Sequence, residues 1–284
     1  MLWDDEYFYV AAWMDEPHLW ATLTKRDSII YRDNDFEIFI DPDGDQIDYD
    51  ELEINAFGTE FDLRLTRGYR CGGAFDIQWD IAGLQVGVHM QGSLNDPSKR
   101  DAGWTVEVAI PWLSLADTST VRCPPADGDM WWVNFSRVQW PLDIVDGAYV
   151  KPDGAKEDNW VWSPQYAIDM HRPEYWGSVQ FVNAPPGARP FVPGNQVVPR
   201  TVLRRVQNAI EQYQSVHGAL PMSMSDLDGL WTPIEQRTMT SPALRIDGES
   251  WSVTMVQNLN NGEHAYWQLG PDCRLTRTIA VTCE

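Results

Sequence analysis

The first 182 residues consist of short apolar or alternating segments separated by Gly, Pro, Asn and Asp. In the segment GWTVEVAIPW, for example, Trp104, Val106 and Val108 alternate with more polar neighbours, which is the pattern of a strand buried on one side. Strands at this spacing predict an antiparallel, jelly-roll-like β-sandwich. Helix-period segments are nearly absent before residue 195, and we expect only short helical turns near residues 17–20 and 112–116.

A different pattern follows the sandwich. Residues 183–199 are rich in Pro and Gly and have no period, which indicates a linker. From Thr201, a candidate N-cap, apolar residues recur at helical spacing until Gly218, and the strand-like segments WSVTMVQN, HAYWQLG and TIAVTC come next. We therefore predict a mostly β chain, with a sandwich at 1–182 and a small α+β domain of one helix and a short antiparallel sheet at 200–284.

The negative charge lies almost entirely in the predicted sandwich. Residues 1–182 contain 13 Lys and Arg against 33 Asp and Glu, whereas the remaining residues contain 8 against 9, so the two parts carry −20 and −1. Such a field repels phosphate backbones and anionic headgroups. We therefore expect neutral partners or cations, and neither nucleic acid nor a membrane surface.

The N-terminal sequence bears on localisation. No stretch approaches the roughly 18 consecutive apolar residues of a membrane span, and MLWDDEYFYV lacks a basic region followed by an apolar one. Because strand-like sequence begins almost at residue 1, we expect that a natural N-terminal segment, with room for a signal peptide, is missing here. The expected location is secreted, either extracellular or periplasmic.

Four cysteines leave the redox state open. Cys273 and Cys283 flank a predicted hairpin at a spacing that suits a disulfide in an oxidising compartment. A Cys71–Cys123 bond is the second possibility, and four reduced thiols are the third.

Tryptophan is unusually frequent, since 12 of the 15 indoles lie in residues 1–182. An indole can fill a core, but it also offers a flat apolar surface to the C–H face of a pyranose ring. Four tryptophans on apolar strand faces are assigned to the core: Trp104, Trp112, Trp131 and Trp176. Three others lie in or beside a polar, turn-rich region, where they are candidates to face a ligand: Trp140, Trp160 and Trp162.

A dense group of carboxylates follows the strand DFEIFID. The residues Asp41, Asp43 and Asp45 of DPDGD could surround a hard cation such as calcium, which accepts six to eight oxygen ligands. The spacing is not that of an EF-hand, and a solvated acidic turn is the alternative. Within the strand, Glu37 points away from the face of Ile38, so it either lines a groove or faces solvent.

Sequence signals for catalysis are weak. GxSxG, HExxH, a phosphate-binding Gly loop and a zinc-type Cys/His spacing are all absent from the sequence. Paired carboxylates could hydrolyse a glycoside, but acidic residues are too numerous to select a pair. His171, in DMHRPEYWG, is the histidine we consider most informative.

The sandwich sequence resembles the family 9-like carbohydrate-binding modules of extracellular bacterial proteins, within the DOMON-like β-sandwich superfamily. The segments that carry the resemblance run in order from LWDDEYFYVAAWM through DFEIFIDPDGD, ELEINAFGT, GWTVEVAIPW and WWVNFSRVQW to MHRPEYWGSVQF. The resemblance covers residues 1–182. It implies non-catalytic binding of the end of a glycan between two aromatic rings, hydrogen bonds to the sugar hydroxyls, and structural calcium.

The same resemblance suggests site residues. The first stacking aromatic falls on Tyr31, and the hydroxyl partners fall on Glu37 and Asn55, while Glu53 stands where the family has Arg. The second stacking Trp falls near Met170. Trp162 or His171 would have to take its place, while Trp140 is a sugar-binding candidate from its turn-rich context alone.

Other functions stay open at this point. In a haem-binding DOMON-like domain, axial ligands would come from residues such as Met90, Met170 and His171. An interaction or scaffold protein of a polysaccharide-degrading system would use the C-terminal domain to bind a protein partner. A glycosidase is the remaining alternative. We expect non-catalytic binding of a neutral poly- or oligosaccharide.

Overall fold

The computed structural model describes residues 1–117, 120–185, 187–234, 238–259 and 262–281. It is mostly β, as expected, and divides into two compact units. The first unit contains residues 1–43, 48–66 and 74–189, and the second contains residues 44–47, 67–73 and 190–284.

The first unit consists of strands with one short helix and two 3₁₀ turns. Its strands are β1 (Leu2–Trp3), β2 (Tyr7–Asp15), β3 (Asp35–Asp41), β4 (Ile47–Asn55), β5 (Glu60–Arg67), β6 (Phe75–Asp76), β7 (Gln85–Gln91), β8 (Gly103–Pro111), β9 (Met130–Gln139), β10 (Asp143–Val145), β11 (Ala148–Val150), β12 (Asp158–Val161) and β13 (Gly177–Gln180). The helix α1 (Trp112–Leu115) follows β8 directly, and the 3₁₀ turns are Ile30–Arg32 and Pro173–Tyr175. The expected turn at 112–116 is therefore confirmed, whereas residues 17–20 form only bends.

The strands form two main antiparallel sheets. The smaller sheet has the order β1-β2-β8-β7, and the larger has the order β12-β9-β3-β4-β5-β6, with β13 also pairing with β9. Strands β10 and β11 form a separate hairpin. The sandwich prediction is confirmed.

The core of the sandwich combines apolar side chains of both sheets. Val106 and Val108 of β8 belong to the same buried cluster as Ile38 of β3 and Val133 of β9. Three of the expected core tryptophans are in this cluster: Trp104, Trp112 and Trp131. The alternation within β8 places its apolar side chains on this inner face.

A second buried cluster lies on the opposite face of the larger sheet. It contains Phe39 of β3 and Trp132 of β9, together with Ile30 from one 3₁₀ turn. The fourth expected core tryptophan, Trp176, is also part of it. This outer face is therefore covered by loop segments, and Glu37, which shares it with Phe39, is buried.

The second unit contains one long helix and a four-stranded antiparallel sheet. Its described elements are the 3₁₀ turn Tyr69–Cys71, helix α2 (Val197–His217), the 3₁₀ turn Met224–Leu227, and strands β14 (Ala243–Asp247), β15 (Ser250–Asn258), β16 (Glu263–Leu269) and β17 (Leu275–Val281). The sheet order is β14-β15-β16-β17, and buried residues of α2 and of this sheet form one apolar cluster.

The helix starts earlier than its sequence suggested. It begins at Val197, inside the segment expected to be a linker, so the cap assigned to Thr201 is wrong and its hydroxyl instead donates to the Val197 carbonyl. Pro199 concealed this start, because proline is tolerated in the first helical turn, where the backbone N–H has no partner. The stop at Gly218 is confirmed by its left-handed φ of 68°.

The described disulfide joins Cys71 to Cys273, and both residues belong to the second unit. This pairing makes both expected bonds wrong, since Cys123 is a free thiol and the sulfur of Cys273 is already used. Cys283 itself lies outside the described residues. No helix in the described part of the chain is long and apolar enough to cross a membrane.

Candidate functional site

Tyr31 and Trp140, two residues selected from the sequence, lie next to each other. The indole Nε1 of Trp140 donates to the Tyr31 carbonyl at 2.8 Å, and the Trp140 backbone N–H donates to Asn34 Oδ1 at 2.7 Å. The Tyr31 backbone N–H in turn donates to Glu53 Oε2 at 2.8 Å. The ring of Tyr31 stays substantially exposed, and Trp140 is half-buried. An anchored aromatic pair is thus open to solvent.

Lys151 covers part of this aromatic surface. Its Nζ lies 3.9 Å from the centroid of the Trp140 ring and 5.5 Å from that of Trp20. The same ammonium donates to the Arg32 carbonyl. Burial lowers the pKa of Lys151. Cation–π contact on one face of Trp140 leaves the remainder of the indole for other contacts.

A pocket of 310 Å³ lies beside Trp140 in the first unit. Its lining combines two tryptophans, three further apolar residues and six polar or charged ones: Asp15, Glu16, Pro17, His18, Arg137, Gln139, Trp140, Pro141, Leu142, Asp158 and Trp160. Trp160, on β12, is 60% exposed. The pocket therefore offers an open indole and a half-buried one.

Trp160 is supported from beneath by Arg137. The two residues are direct partners in the pairing of β12 with β9, and the Arg137 Cζ lies 5.2 Å from the indole centroid. The guanidinium is itself fixed, since it donates to the Asp15 carbonyl at 2.8 Å, to Glu16 at 2.9 Å and to Gln139 at 2.5 Å. The exposed face of Trp160 is consequently held in one orientation.

His18 and Asp158 complete the polar lining. His18 Nδ1 shares a 3.1 Å hydrogen bond with the Tyr149 hydroxyl, and the two rings meet edge to face at 5.6 Å. The His18 backbone N–H donates to Glu16 at 2.9 Å, whereas Asp158 is exposed. Flat apolar rings next to fixed donors and acceptors are typical of small-ligand sites.

Glu37 does not line an open groove. It is 3% exposed and lies opposite Glu53 on β4 and Ser136 on β9. One carboxylate oxygen of each of Glu37, Glu51 and Glu53 lies within 4.8 Å of the others. Its expected role as a direct sugar ligand is therefore not supported by this geometry, because loops of the outer face cover it.

Burial of these carboxylates raises their pKa values. Burial raises the pKa of Glu37 to about 7, with a contribution from the charge of Glu157 and an opposing one from the Ser136 hydroxyl. Burial, followed by the neighbouring carboxylates, also raises the pKa of Glu51 and of Glu53 well above the ordinary value. Each of these shifts favours the protonated, uncharged form of the carboxyl group when no cation is present.

Met170 and His171 pack against the second core cluster. His171 Nδ1 shares a 3.1 Å hydrogen bond with the Tyr49 hydroxyl, and its ring meets Phe39 edge to face at 5.9 Å. Burial lowers the pKa of His171 to about 4, so the imidazole is neutral at physiological pH. Neither residue lines the pocket. The suggestion that His171 replaces a stacking aromatic is not supported.

The side chain of Asn55 is buried and hydrogen-bonded within the protein. Its Nδ2 donates to the Leu23 carbonyl at 2.8 Å and to Asp33 at 3.0 Å, while its Oδ1 accepts from the backbone N–H groups of Phe57 and Thr59 at 3.0 Å. The side chain is fully buried. It fixes the turn after β4 and has no exposed group for a sugar, contrary to the expectation.

Trp162 lies away from the Glu37 face. Its ring contacts Phe135, which stacks on Phe36 of the inner core. A Cβ added to Gly177 would come within 2.4 Å of the Trp162 ring, so the indole packs directly on this glycine. Although half of it is exposed, Trp162 is not among the residues that line the pocket.

The three aspartates expected to bind calcium are close together. One oxygen each of Asp41, Asp43 and Asp45 lies within 4.8 Å of the others. However, Asp43 already accepts hydrogen bonds from the backbone N–H and hydroxyl of Thr120, at 2.9 and 2.6 Å. Calcium at this loop stays a prediction.

The residues named for the haem alternative lie in different parts of the described first unit. Met90 is on β7 of the smaller sheet. Met170 and His171 contact the second core cluster of the larger sheet. Haem binding stays an alternative prediction.

The polar residues of the pocket were not identified from the sequence. Arg137 and Trp160 are 23 positions apart, and only the pairing of β12 with β9 places one against the other. His18 and Asp158 come from still more distant segments. The turn-rich context of Trp140 and Trp160 was the one usable signal.

Comparison with known proteins assigns the first unit to a family. Residues 1–183 match the family profile described as "Carbohydrate family 9 binding domain-like". Among solved structures, a Bacteroides uniformis protein provisionally described as carbohydrate-binding is similar, with 16% sequence identity and a TM-score of 0.44 over 62% of this chain and 74% of that one. No curated protein sequence matches the chain. Because the family profile covers more than half of its residues, the chain belongs to the carbohydrate family 9 binding domain-like family.

Proposed function

We propose that the first unit binds a neutral poly- or oligosaccharide in the pocket between Trp140 and Trp160, without chemical conversion of the sugar. The observation that carries this proposal is that both indoles line one 310 Å³ pocket together with the fixed polar side chains of Arg137 and His18. Membership of a carbohydrate-binding domain family supports the ligand class.

The physical basis is the pairing of apolar and polar surfaces. The C–H face of a sugar ring can lie on the exposed face of Trp160, and each such aromatic contact contributes on the order of 1 kcal/mol. Hydroxyl groups exchange hydrogen bonds with water for hydrogen bonds with the pocket, which adds little net free energy. We therefore expect weak to moderate binding, with a Kd of roughly 10 µM to 1 mM.

The size of the pocket bears on how the sugar binds. A volume of 310 Å³ is at the lower end of the range of about 300–1,000 Å³ typical of small-ligand pockets. Such a pocket suits the end of a glycan better than the middle of a long chain. This agrees with the binding mode that the family resemblance implies.

Charge supports a neutral ligand. The first 182 residues carry a net charge of −20, and the pocket itself contains Asp15, Glu16 and Asp158 beside the single guanidinium of Arg137. A glycan with carboxylate or sulfate groups would be repelled. Uronic acid and sulfated polymers are therefore poor candidates.

The carboxylates of the pocket also favour binding over hydrolysis. A glycosidase needs one protonated carboxyl group and a second carboxylate on opposite sides of the scissile bond. Glu16 is buried and accepts hydrogen bonds from Arg137 and from the His18 backbone N–H. The Glu16 carboxylate is therefore engaged within the protein and does not present a free carboxyl group to a glycosidic oxygen.

A glycan array with the full chain tests the proposal. We expect signals for neutral glycans that share one terminal sugar, no signal for anionic glycans, and no release of reducing sugar during incubation. Absence of binding to every neutral glycan would contradict the proposed function, and release of reducing sugar would contradict its non-catalytic character. A secreted location and a protein partner for the second unit stay predictions.

A further inference from the structure

We propose that Glu37, Glu51 and Glu53 bind a divalent cation of the calcium type in the first unit. One oxygen atom of each residue lies within 4.8 Å of the other two. Oxygens that coordinate calcium at 2.3–2.6 Å can be at most about 4.6–5.2 Å apart. The three carboxylates thus already have the spacing of ligands around one ion.

Burial makes a cation necessary for the ionised form of this group. Glu37, Glu51 and Glu53 are 3%, 4% and 3% exposed, and isolated buried charges are strongly unfavourable unless they are paired or bind a metal. Among the described residues, no Lys or Arg forms an ion pair with any of the three. The imidazole of His171 approaches Glu51 only to 3.9 Å.

Unsatisfied oxygen atoms provide a second, independent observation. Glu37 Oε2 and Asp35 Oδ2 are buried and have no hydrogen-bond partner in the described structure. Asp35 precedes Glu37 on the same face of β3 and is fully buried. Buried carboxylate oxygens are ordinarily bonded, and the unpaired ones at this position are suitable ligands for a hard cation.

A second acidic group in the chain shows the contrast. Asp27, Asp62 and Asp80 also bring their oxygens within 4.8 Å of one another. There the guanidinium of Arg26 supplies the positive charge, with a 2.8 Å contact to Asp80 and a further contact to Asp62. Among the described residues no such protein cation reaches the Glu37 group, so its ionised form would need a metal ion for charge compensation.

The cation would also affect the sugar pocket. Glu53 accepts a hydrogen bond from the Tyr31 backbone N–H, and the Tyr31 carbonyl accepts one from the Trp140 indole. Fixing Glu53 therefore fixes a pocket residue through two hydrogen bonds. This coupling, unlike the metal site itself, rests on the proposed function.

Calcium titration of the chelator-treated full chain tests the site without any sugar. Isothermal titration and thermal unfolding should show that calcium binds and raises the Tm of the wild type. Glu53→Gln should weaken this calcium binding by roughly tenfold or more, and Glu51→Gln should do the same. The Gln variants keep the side-chain shape, and Glu37→Gln provides a third variant should one of them fail to fold.

Two controls locate the ion. Asp80→Asn removes a carboxylate from the group that Arg26 neutralises and should leave calcium binding unchanged. The Asp43→Asn/Asp45→Asn double variant should still bind calcium at Glu37, Glu51 and Glu53. Absence of calcium binding in the wild type would overturn the proposal. Calcium affinity that is unchanged in all three Gln variants, or lost only in the Asp43/Asp45 variant, would also overturn it.

Discussion

The indole ring of Trp160 lies over the guanidinium group of Arg137, whose Cζ is 5.2 Å from the ring centroid. The same guanidinium donates to the buried Glu16 carboxylate at 2.9 Å. One arginine thereby neutralises a buried acid and supports an exposed aromatic ring. The pocket depends on this residue for its shape as well as for its charge.

Replacing Arg137 should destabilise the protein. Arg137→Met leaves Glu16, which is 2% exposed, without its charged partner, and breaking a buried pair in this way costs about 3 kcal/mol of unfolding free energy. Urea denaturation of the variant measures the loss. The double variant Arg137→Met/Glu16→Gln should recover most of it, since no buried charge is left unpaired. Equal losses in the single and double variants would contradict this explanation.

Replacing Asn55 should lower stability without altering the pocket. Asn55→Ala removes four hydrogen bonds in a fully buried position, and each buried group left unsatisfied costs about 1–3 kcal/mol. We expect a fall of about 2 kcal/mol or more in the unfolding free energy. The sugar affinity of the folded variant, measured by calorimetry, should stay unchanged. A selective loss of sugar affinity at unchanged stability would instead make Asn55 a ligand contact.

Gly177 should be restricted by the indole packed on it. In Gly177→Ala the new Cβ would lie 2.4 Å from the outer edge of the half-exposed Trp162 ring, so Trp162 must move, at a cost of about 1 kcal/mol. A drop in Tm and a change in tryptophan fluorescence should accompany the substitution. Combining it with Trp162→Ala should remove the clash, so that Gly177→Ala has little further effect on the Tm in that background. If Gly177→Ala lowers the Tm equally in the Trp162→Ala background, some other contact is responsible for the loss of stability.

The stability of the metal-free protein should fall as the pH rises. The pKa of Glu37 is about 7 in the folded chain against an ordinary value of 4.5, so the folded state binds more protons than the unfolded state between these values. Its contribution is fully present below about pH 4.5 and is lost as the pH rises through about 7. Thermal unfolding from pH 6.5 to 8 with chelator measures this dependence, because below about pH 6.5 the lowered pKa of the buried His171 has the opposite effect on stability.

Two comparisons isolate the role of Glu37 in this pH dependence. Glu37→Gln should reduce the slope without abolishing it, because one titrating group is removed while Glu51 and Glu53, whose pKa values are also raised, remain. Saturating calcium should protect the wild type most at the upper end of the range, where the carboxylates are free to bind a metal. A Tm of the metal-free protein that rises over this range would contradict the assignment.

Much of the fold could be predicted from local patterns. The alternation in β8 identified the inner face on which Trp104 packs, and the helical spacing after Val202 identified α2. These elements follow from the periods of strand and helix alone. The start of α2 was missed because Pro199 in a first turn looks the same in sequence as Pro in a linker.

The site was less predictable because it depends on long-range pairing. The alternation of side chains along β3 correctly placed Glu37 and Ile38 on opposite faces of the sheet. It could not show that the loop containing Ile30 covers the face of Glu37. The same alternation places Trp160 and Trp162, which are two positions apart, on one face of the sheet. Only Trp160 lines the pocket. The Cys71–Cys273 bond, which spans 202 positions, has no local signal either.

Isothermal titration of the glycan selected by the array, with Trp160→Ala and with Trp162→Ala as a matched exposed-indole control, tests the central claim most directly. We predict that Trp160→Ala weakens the sugar affinity by roughly tenfold or more, because a stacking surface is lost, and that Trp162→Ala binds as the wild type does. Equal affinity in all three proteins, or a loss confined to Trp162→Ala, would contradict sugar binding at the pocket between Trp140 and Trp160.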